Sequence, residues 1–193
     1  PFVAIGSHIH KPGKTVVTKA TASKDGKIAK ICDTCKKTIS TTTIYKASNL
    51  KLSTANYTYN GKVKTPAVTV KNSKGKTLKK NTDYTVSYSK GRKNVGKYAV
   101  TVKFKGNYSG TKTLYFTINP KGTKLSSVKS SKTKTATVKW KAQKTQTSGY
   151  QIRYSTKSNF KSSKILTVSK NSTVSKTIAK LTKKKTYYFS VRT

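Results

Sequence analysis

The sequence predicts an all-β chain, with a small β-hairpin module followed by two antiparallel β-sandwiches. First, apolar residues alternate with Thr, Ser or Lys at period two, which indicates strands with one buried face. Second, turn signals built on Gly and Asn separate these strands at intervals of roughly 8–12 residues, a spacing typical of sandwiches. No stretch shows the spacing of an amphipathic helix. The alternating stretches are 68–71, 84–88, 98–104, 136–140, 150–154 and 187–191.

Two changes of pattern divide the chain into modules. Residues 118–122 close one run of strands and open the next, which makes them the strongest boundary. A softer boundary falls near residues 45–47, after a Thr-rich strand at 39–44. We therefore predict modules at 1–46, 47–120 and 121–193. No apolar run approaches the roughly 20 residues of a membrane-spanning helix.

The charge of the chain is extreme. Its 193 residues contain 43 Lys and Arg against 3 Asp and Glu, for a formal net charge of +40. The only arginines are Arg92, Arg153 and Arg192, so almost all of the charge is lysine, and it is spread over all three modules. One interpretation is a solvated lysine coat that keeps the protein soluble and protects sheet edges. The other is diffuse attraction to a polyanion.

The scarcity of acids and imidazoles excludes most hydrolase chemistry. The only carboxylates are Asp25, Asp33 and Asp83, so no pair is left to flank a glycosidic bond or to hold a hard divalent cation. His8 and His10 are the only histidines, and any Ser/His/Asp or Cys/His relay would need one of them. We expect no enzymatic activity from these residues.

The same two histidines suggest a metal site instead. Cys32 and Cys35 form a C-x-x-C pair, a spacing that lets both sulfurs reach one tetrahedral Zn²⁺. His8 and His10 point to the same side of a strand, because side chains two residues apart share a face. These four residues would supply a complete Cys₂His₂ set for structural zinc. A Cys32–Cys35 disulfide is the rival interpretation.

The C-terminal segment carries several features in a fixed order. Val138 and Trp140 precede a Gly-Tyr-Gln-Ile-Arg-Tyr stretch at 149–154, and Tyr187 follows Leu181 by six residues. In this order the residues 121–193 resemble a fibronectin type III domain, whose tyrosine corner bonds back to an upstream backbone group. The resemblance implies a sandwich that lacks its final strand, and hence a segment of a longer protein.

Turn and tyrosine motifs cover most of residues 50–119. They resemble a bacterial immunoglobulin-like module common in surface proteins of gut Firmicutes. The motifs run Tyr57-Thr58-Tyr59-Asn60-Gly61-Lys62, Thr65-Pro66, Thr82-Asp83-Tyr84, Asn94-Val95-Gly96 and Gly106-Asn107-Tyr108-Ser109-Gly110. The single acid of this module, Asp83, is expected to hold a turn through backbone amides.

Residues 7–40 contain His8-Ile9-His10, Asp25-Gly26 and Cys32-Asp33-Thr34-Cys35. They resemble a Cys/His hairpin module that precedes such immunoglobulin-like repeats in the same surface proteins. Together the three resemblances imply a secreted or cell-surface location.

Two functions are compatible with this organisation. The first is a non-catalytic stalk that spaces another domain from a bacterial cell surface. The second is an adhesin or wall-binding segment whose lysines engage teichoic acid, mucin glycans or a host protein. Specific nucleic-acid recognition is not expected, because the chain shows no arginine-rich helix and no RNP-like aromatic motif.

Overall fold

The computed structural model describes residues 9–130 and 132–193. Within these residues the chain forms fifteen β-strands and no helix, which confirms the all-β prediction. Among the same residues, no helix is long and apolar enough to cross a bilayer.

The strands are short, and most follow the predicted alternation. They are β1 (Pro12–Thr18), β2 (Gly26–Cys32), β3 (Thr38–Ile44), β4 (Asn49–Leu52), β5 (Asn56–Thr58), β6 (Val68–Lys71), β7 (Tyr84–Tyr88), β8 (Gly96–Phe104), β9 (Thr111–Asn119), β10 (Leu125–Lys129), β11 (Ala136–Trp140), β12 (Tyr150–Ser155), β13 (Lys164–Val168), β14 (Ser175–Ile178) and β15 (Tyr188–Arg192).

These strands form five sheets. The sheet orders are β1-β2-β3, β4-β6, β5-β9-β8-β7, β10-β11-β14 and β13-β12-β15. All of the registered pairs are antiparallel except β5 with β9, which run parallel. By packing, the chain divides into two compact units. Unit 1 contains the described residues through Ala55 together with Thr65–Lys90 and Lys97–Phe116, and unit 2 contains Asn56–Lys64, Gly91–Gly96 and Thr117–Thr193. The predicted division at 1–46, 47–120 and 121–193 stays a prediction.

The N-terminal sheet of unit 1 is organised by its middle strand. Strand β2 buries Gly26, Ala29 and Cys32, whereas every residue of β1 is exposed. A Cβ atom at Gly26 would lie 2.2 Å from the carbonyl oxygen of Thr18, so only glycine permits this approach of β1 and β2. The core of unit 1 comprises Ala20, Ile44, Ala47, Val70, Leu78, Tyr84, Val102, Phe104 and Tyr108.

Unit 2 contains the two three-stranded sheets of the predicted second sandwich. Trp140 lies in the core against Tyr150, with ring centroids 5.3 Å apart in an edge-to-face arrangement. The hydroxyl oxygen of Tyr187 accepts a hydrogen bond from the backbone N–H of Thr182 at 3.0 Å, as a tyrosine corner requires. The core residues are Ala136, Val138, Trp140, Tyr150, Ile152, Val168, Ile178 and Leu181.

We predict that Gly149→Ala destabilises unit 2. A Cβ atom there would lie 2.0 Å from the carbonyl oxygen of Val168, so strand β12 would be pushed away from β13. Overpacking of this kind costs about 1–3 kcal/mol. Urea denaturation followed by Trp140 fluorescence measures the loss.

Gly122→Ala is the matched control in the same unit, because no atom lies within 4 Å of the added Cβ. Its free energy of unfolding is expected to stay within about 0.5 kcal/mol of the parent. Equal denaturation midpoints for the two variants would contradict the steric argument.

Candidate metal centre

The two cysteines lie at the turn between β2 and β3. Cys32 is the last residue of β2 and is fully buried. Its N–H donates to the carbonyl oxygen of Lys37 at 2.8 Å, and its carbonyl accepts from the N–H of Lys36 at 3.1 Å. Lys36 has a φ of 60°, a left-handed conformation that closes the turn tightly. This turn brings the half-buried Cys35 back beside Cys32.

The start of β1 brings His10 to the same place. Pro12 pairs with Cys32 in the β1–β2 ladder, and the carbonyl oxygen of Lys11 accepts from the N–H of Asp33 at 3.2 Å. Nδ1 of His10 consequently lies 3.2 Å from Sγ of Cys35.

Gly13 is the residue that sequence reasoning missed. A Cβ atom at Gly13 would lie 2.9 Å from Cα of Asp33, so a side chain there would push β1 away from the cysteine turn. In the sequence, Pro12-Gly13 looks like an ordinary turn signal. The only signal that distinguished it was its position three residues after the second histidine, His10.

The ligand atoms of His10, Cys32 and Cys35 all lie within 4.8 Å of one another. Ligand atoms of a tetrahedral zinc site are about 3.5–3.8 Å apart, given the usual Zn–S and Zn–N bond lengths. Two thiols and one imidazole are also the donor types that zinc prefers. The three residues therefore fit a metal ion after small side-chain movements. The fourth predicted ligand, His8, lies outside the described residues.

None of the three carboxylates belongs to this cluster. Asp25 Oδ1 accepts a hydrogen bond from the N–H of Lys46, and Asp83 Oδ2 accepts one from the N–H of Lys79, both at 2.7 Å. Asp33 forms an exposed ion pair with Lys36 at 3.8 Å, which contributes little to stability. Asp25 thus ties the start of β2 to the segment after β3, whereas Asp83 holds a backbone turn, which is the role that the sequence predicted for it.

Asp83 also acts on the tyrosines near it. Burial raises the pKa of Tyr84, and the negative charge of Asp83 raises it further. The pKa of Tyr108 is raised by the same two causes in the same order, against a hydrogen bond with Asn72 that lowers it. Both phenols therefore stay protonated and neutral near pH 7. The electrostatics around Asp83 belong to the core of unit 1 and give no reactive group.

Comparison with known proteins assigns no family. No protein-family model and no curated protein matches the chain. Among solved structures, the chain is similar to chicken CNTN1 FN1-FN3 domains, with 19% sequence identity over 87% of this chain and 71% of that one. The TM-score of this superposition is 0.35. A likeness at that level supports no assignment, so the all-β architecture rests on the strands described above.

Proposed function

We propose that this chain is a non-catalytic spacer made of β modules, within a larger secreted or wall-associated bacterial protein. The proposal rests on the contacts that the potentially reactive side chains, the carboxylates, cysteines and His10, make in the structure. Asp25 and Asp83 accept hydrogen bonds from backbone N–H groups, and the cysteines cluster with His10 at a turn. Within the described residues, two of the three carboxylates therefore bond to the protein's own backbone, and the third, Asp33, forms an exposed ion pair with Lys36. The three sequence resemblances support an extracellular, cell-surface location.

The exposed faces of the strands suit a spacer. Every residue of β1 and all but the last residue of β3 are exposed, and most of them are Thr, Ser, Lys or Val. On the edge strand β1, Pro12 and Lys14 discourage edge-to-edge pairing with other chains. A segment that must stay separate from its neighbours at a crowded surface benefits from that property.

Surface display tests the spacer role. An epitope tag fused before residue 1, with a wall anchor after residue 193, is presented on a Gram-positive cell with and without the intervening chain. We expect antibody labelling of the tag to fall when the chain is deleted, because the tag then lies within the wall. A flexible Gly/Ser linker of equal length is the matched control. Equal labelling with and without the chain would contradict the proposal.

We further propose that His10, Cys32 and Cys35 hold a structural zinc ion, with His8 as the fourth ligand. The ion would tie the start of β1 to the turn after β2. Such a tie would help to hold β1, because every residue of that strand is exposed. Small modules with lean cores gain much of their stability from such a metal. With four protein ligands the zinc would have no open position for a water molecule, so it would not be catalytic.

Metal analysis tests the zinc site. Purified without added reductant or chelator, the chain is expected to carry one zinc ion, and Cys32→Ser is expected to lose it because two thiolates are needed. Asp33→Asn is the matched control, since Asp33 is in the same turn but outside the donor cluster. Elemental analysis measures the zinc, and thiol titration detects the rival disulfide. A zinc-free chain with no free thiol would overturn the proposal.

A second candidate function is polyanion binding through the lysine coat. It is favoured by the charge of +40, together with the use of two of the three carboxylates in backbone contacts. Attraction between exposed charges is screened over about 8 Å at physiological salt, so each contact is weak and many are needed.

A salt series distinguishes this diffuse mechanism from a specific one. We expect Gram-positive cell walls, mucin and duplex DNA to bind at low salt and to be released in parallel as salt rises. Sedimentation with the insoluble walls, or pull-down on immobilised mucin and DNA, measures the bound fraction. Binding that does not depend on salt would rule out the diffuse mechanism.

A further inference from the structure

Two of the three arginines lie on one face of the sheet β13-β12-β15. Residues 150 and 152 of β12 are buried in the core of unit 2, so Gln151 and Arg153 between them point to the opposite, outer face. In the ladder with β15, Gln151 pairs with Arg192 and Arg153 pairs with Ser190. The two arginines are therefore diagonal neighbours on the outer face. Sheet geometry places such neighbours about 7–8 Å apart.

Both guanidinium groups are held in place by neighbouring side chains. Nε and Nη2 of Arg192 donate to Oε1 of Gln151 at 3.0 and 2.6 Å. The guanidinium carbon of Arg153 lies 4.3 Å from the ring centroid of Phe160, a cation–π contact. Because the two arginine side chains are already held, they lose less conformational entropy when a ligand binds than free side chains would.

The two groups line a small cavity. It has a volume of about 170 Å³ and is bounded by Gln151, Arg153, Ile165, Ser190 and Arg192. Pockets for drug-sized ligands have volumes of about 300–1,000 Å³. A cavity below that range takes one chemical group of a larger molecule. Its polar walls are two cations, an amide and a hydroxyl.

The charge of this cavity is uncompensated by the protein's side chains. No Asp or Glu occurs after Asp83 in the sequence, nor at residues 56–64, so unit 2 contains no side-chain carboxylate. Two like charges on diagonal positions of a sheet repel each other. An anion between them would remove the repulsion and accept hydrogen bonds from both.

We propose that this outer face binds a phosphate or sulfate ester group carried on an anionic glycopolymer. A guanidinium presents its N–H donors as a rigid fork that matches such groups, which the point charge of lysine does not. A tetrahedral ester offers oxygens in several directions, so it accepts from Arg153, from Arg192 and from the hydroxyl of Ser190 at once. The site is independent of the spacer role and of the lysine coat.

The small number of arginines makes the site directly observable. The Nε–H groups of Arg92, Arg153 and Arg192 give one NMR cross-peak each, and Arg92 serves as an internal control. Titration of the full chain with inorganic phosphate, and separately with sulfate, is expected to shift the Arg153 and Arg192 peaks saturably. The Arg92 peak is expected to stay in place. Parallel shifts of all three peaks, or equally tight binding of acetate, would overturn the proposal.

Two double variants separate this site from the lysine coat. Arg153→Lys with Arg192→Lys keeps the net charge of +40, yet is expected to weaken phosphate or sulfate binding about tenfold, because the fork geometry is lost. Lys129→Ala with Lys139→Ala removes two charges from the sheet β10-β11-β14 and is expected to leave that binding unchanged. The diffuse mechanism predicts the reverse: unchanged binding in the Arg→Lys double variant and weaker binding in the Lys→Ala double variant. All four positions are exposed on strands, and chemical-shift dispersion verifies folding.

Polymer probes identify the source of the ester. Poly(glycerol phosphate) represents wall teichoic acid, dextran sulfate represents sulfated glycans, and polygalacturonate carries carboxylates alone. Loss of binding in the arginine double variant with either of the first two probes supports the proposal and names the source. A loss confined to polygalacturonate, or no loss with any probe, contradicts it.

Discussion

The fold of this chain is held against the mutual repulsion of its own basic side chains. Forty-three cations face three carboxylates, so ion pairing cannot offset that repulsion. What remains is the burial of apolar residues and the hydrogen bonds of the strand ladders. Each unit concentrates its aromatic and branched residues in one core, around Tyr84 and Phe104 in unit 1 and around Trp140 and Tyr150 in unit 2. Lysine heads reach solvent while their alkyl stems cover the strands.

Much of the fold followed from the sequence, because period-two alternation reports directly which side of a strand is buried. The stretches 68–71, 84–88 and 136–140 are strands over those same residues. The parallel pairing of β5 with β9 could not be predicted in this way. It joins Asn56 to Thr117, and a three-residue strand gives no signal for so distant a partner.

The candidate sites also differ in how much of each could be predicted from the sequence. The C-x-x-C pair was visible because its two ligands share one turn, whereas the position of His10 depends on the register of β1 against Cys32. The outer-face arginines depend on strand register even more than His10 does. In the sequence, Arg153 and Arg192 are two isolated residues among forty lysines, and only the pairing of β12 with β15 makes them neighbours. Strand register decides which side chains on two strands become neighbours, and the amino-acid composition does not reveal that register.

The backbone contacts of Asp25 and Asp83 have a consequence for the stability of the chain at low pH. Proteins unfold at low pH chiefly because carboxylates that are bonded in the native state must take up protons. Here only those two carboxylates accept hydrogen bonds from backbone N–H groups within the described residues. The net charge is also almost at its maximum near neutrality, so acid adds little further repulsion. Acid can therefore disrupt few carboxylate contacts in this chain, and its net charge changes little over a wide range of acidity.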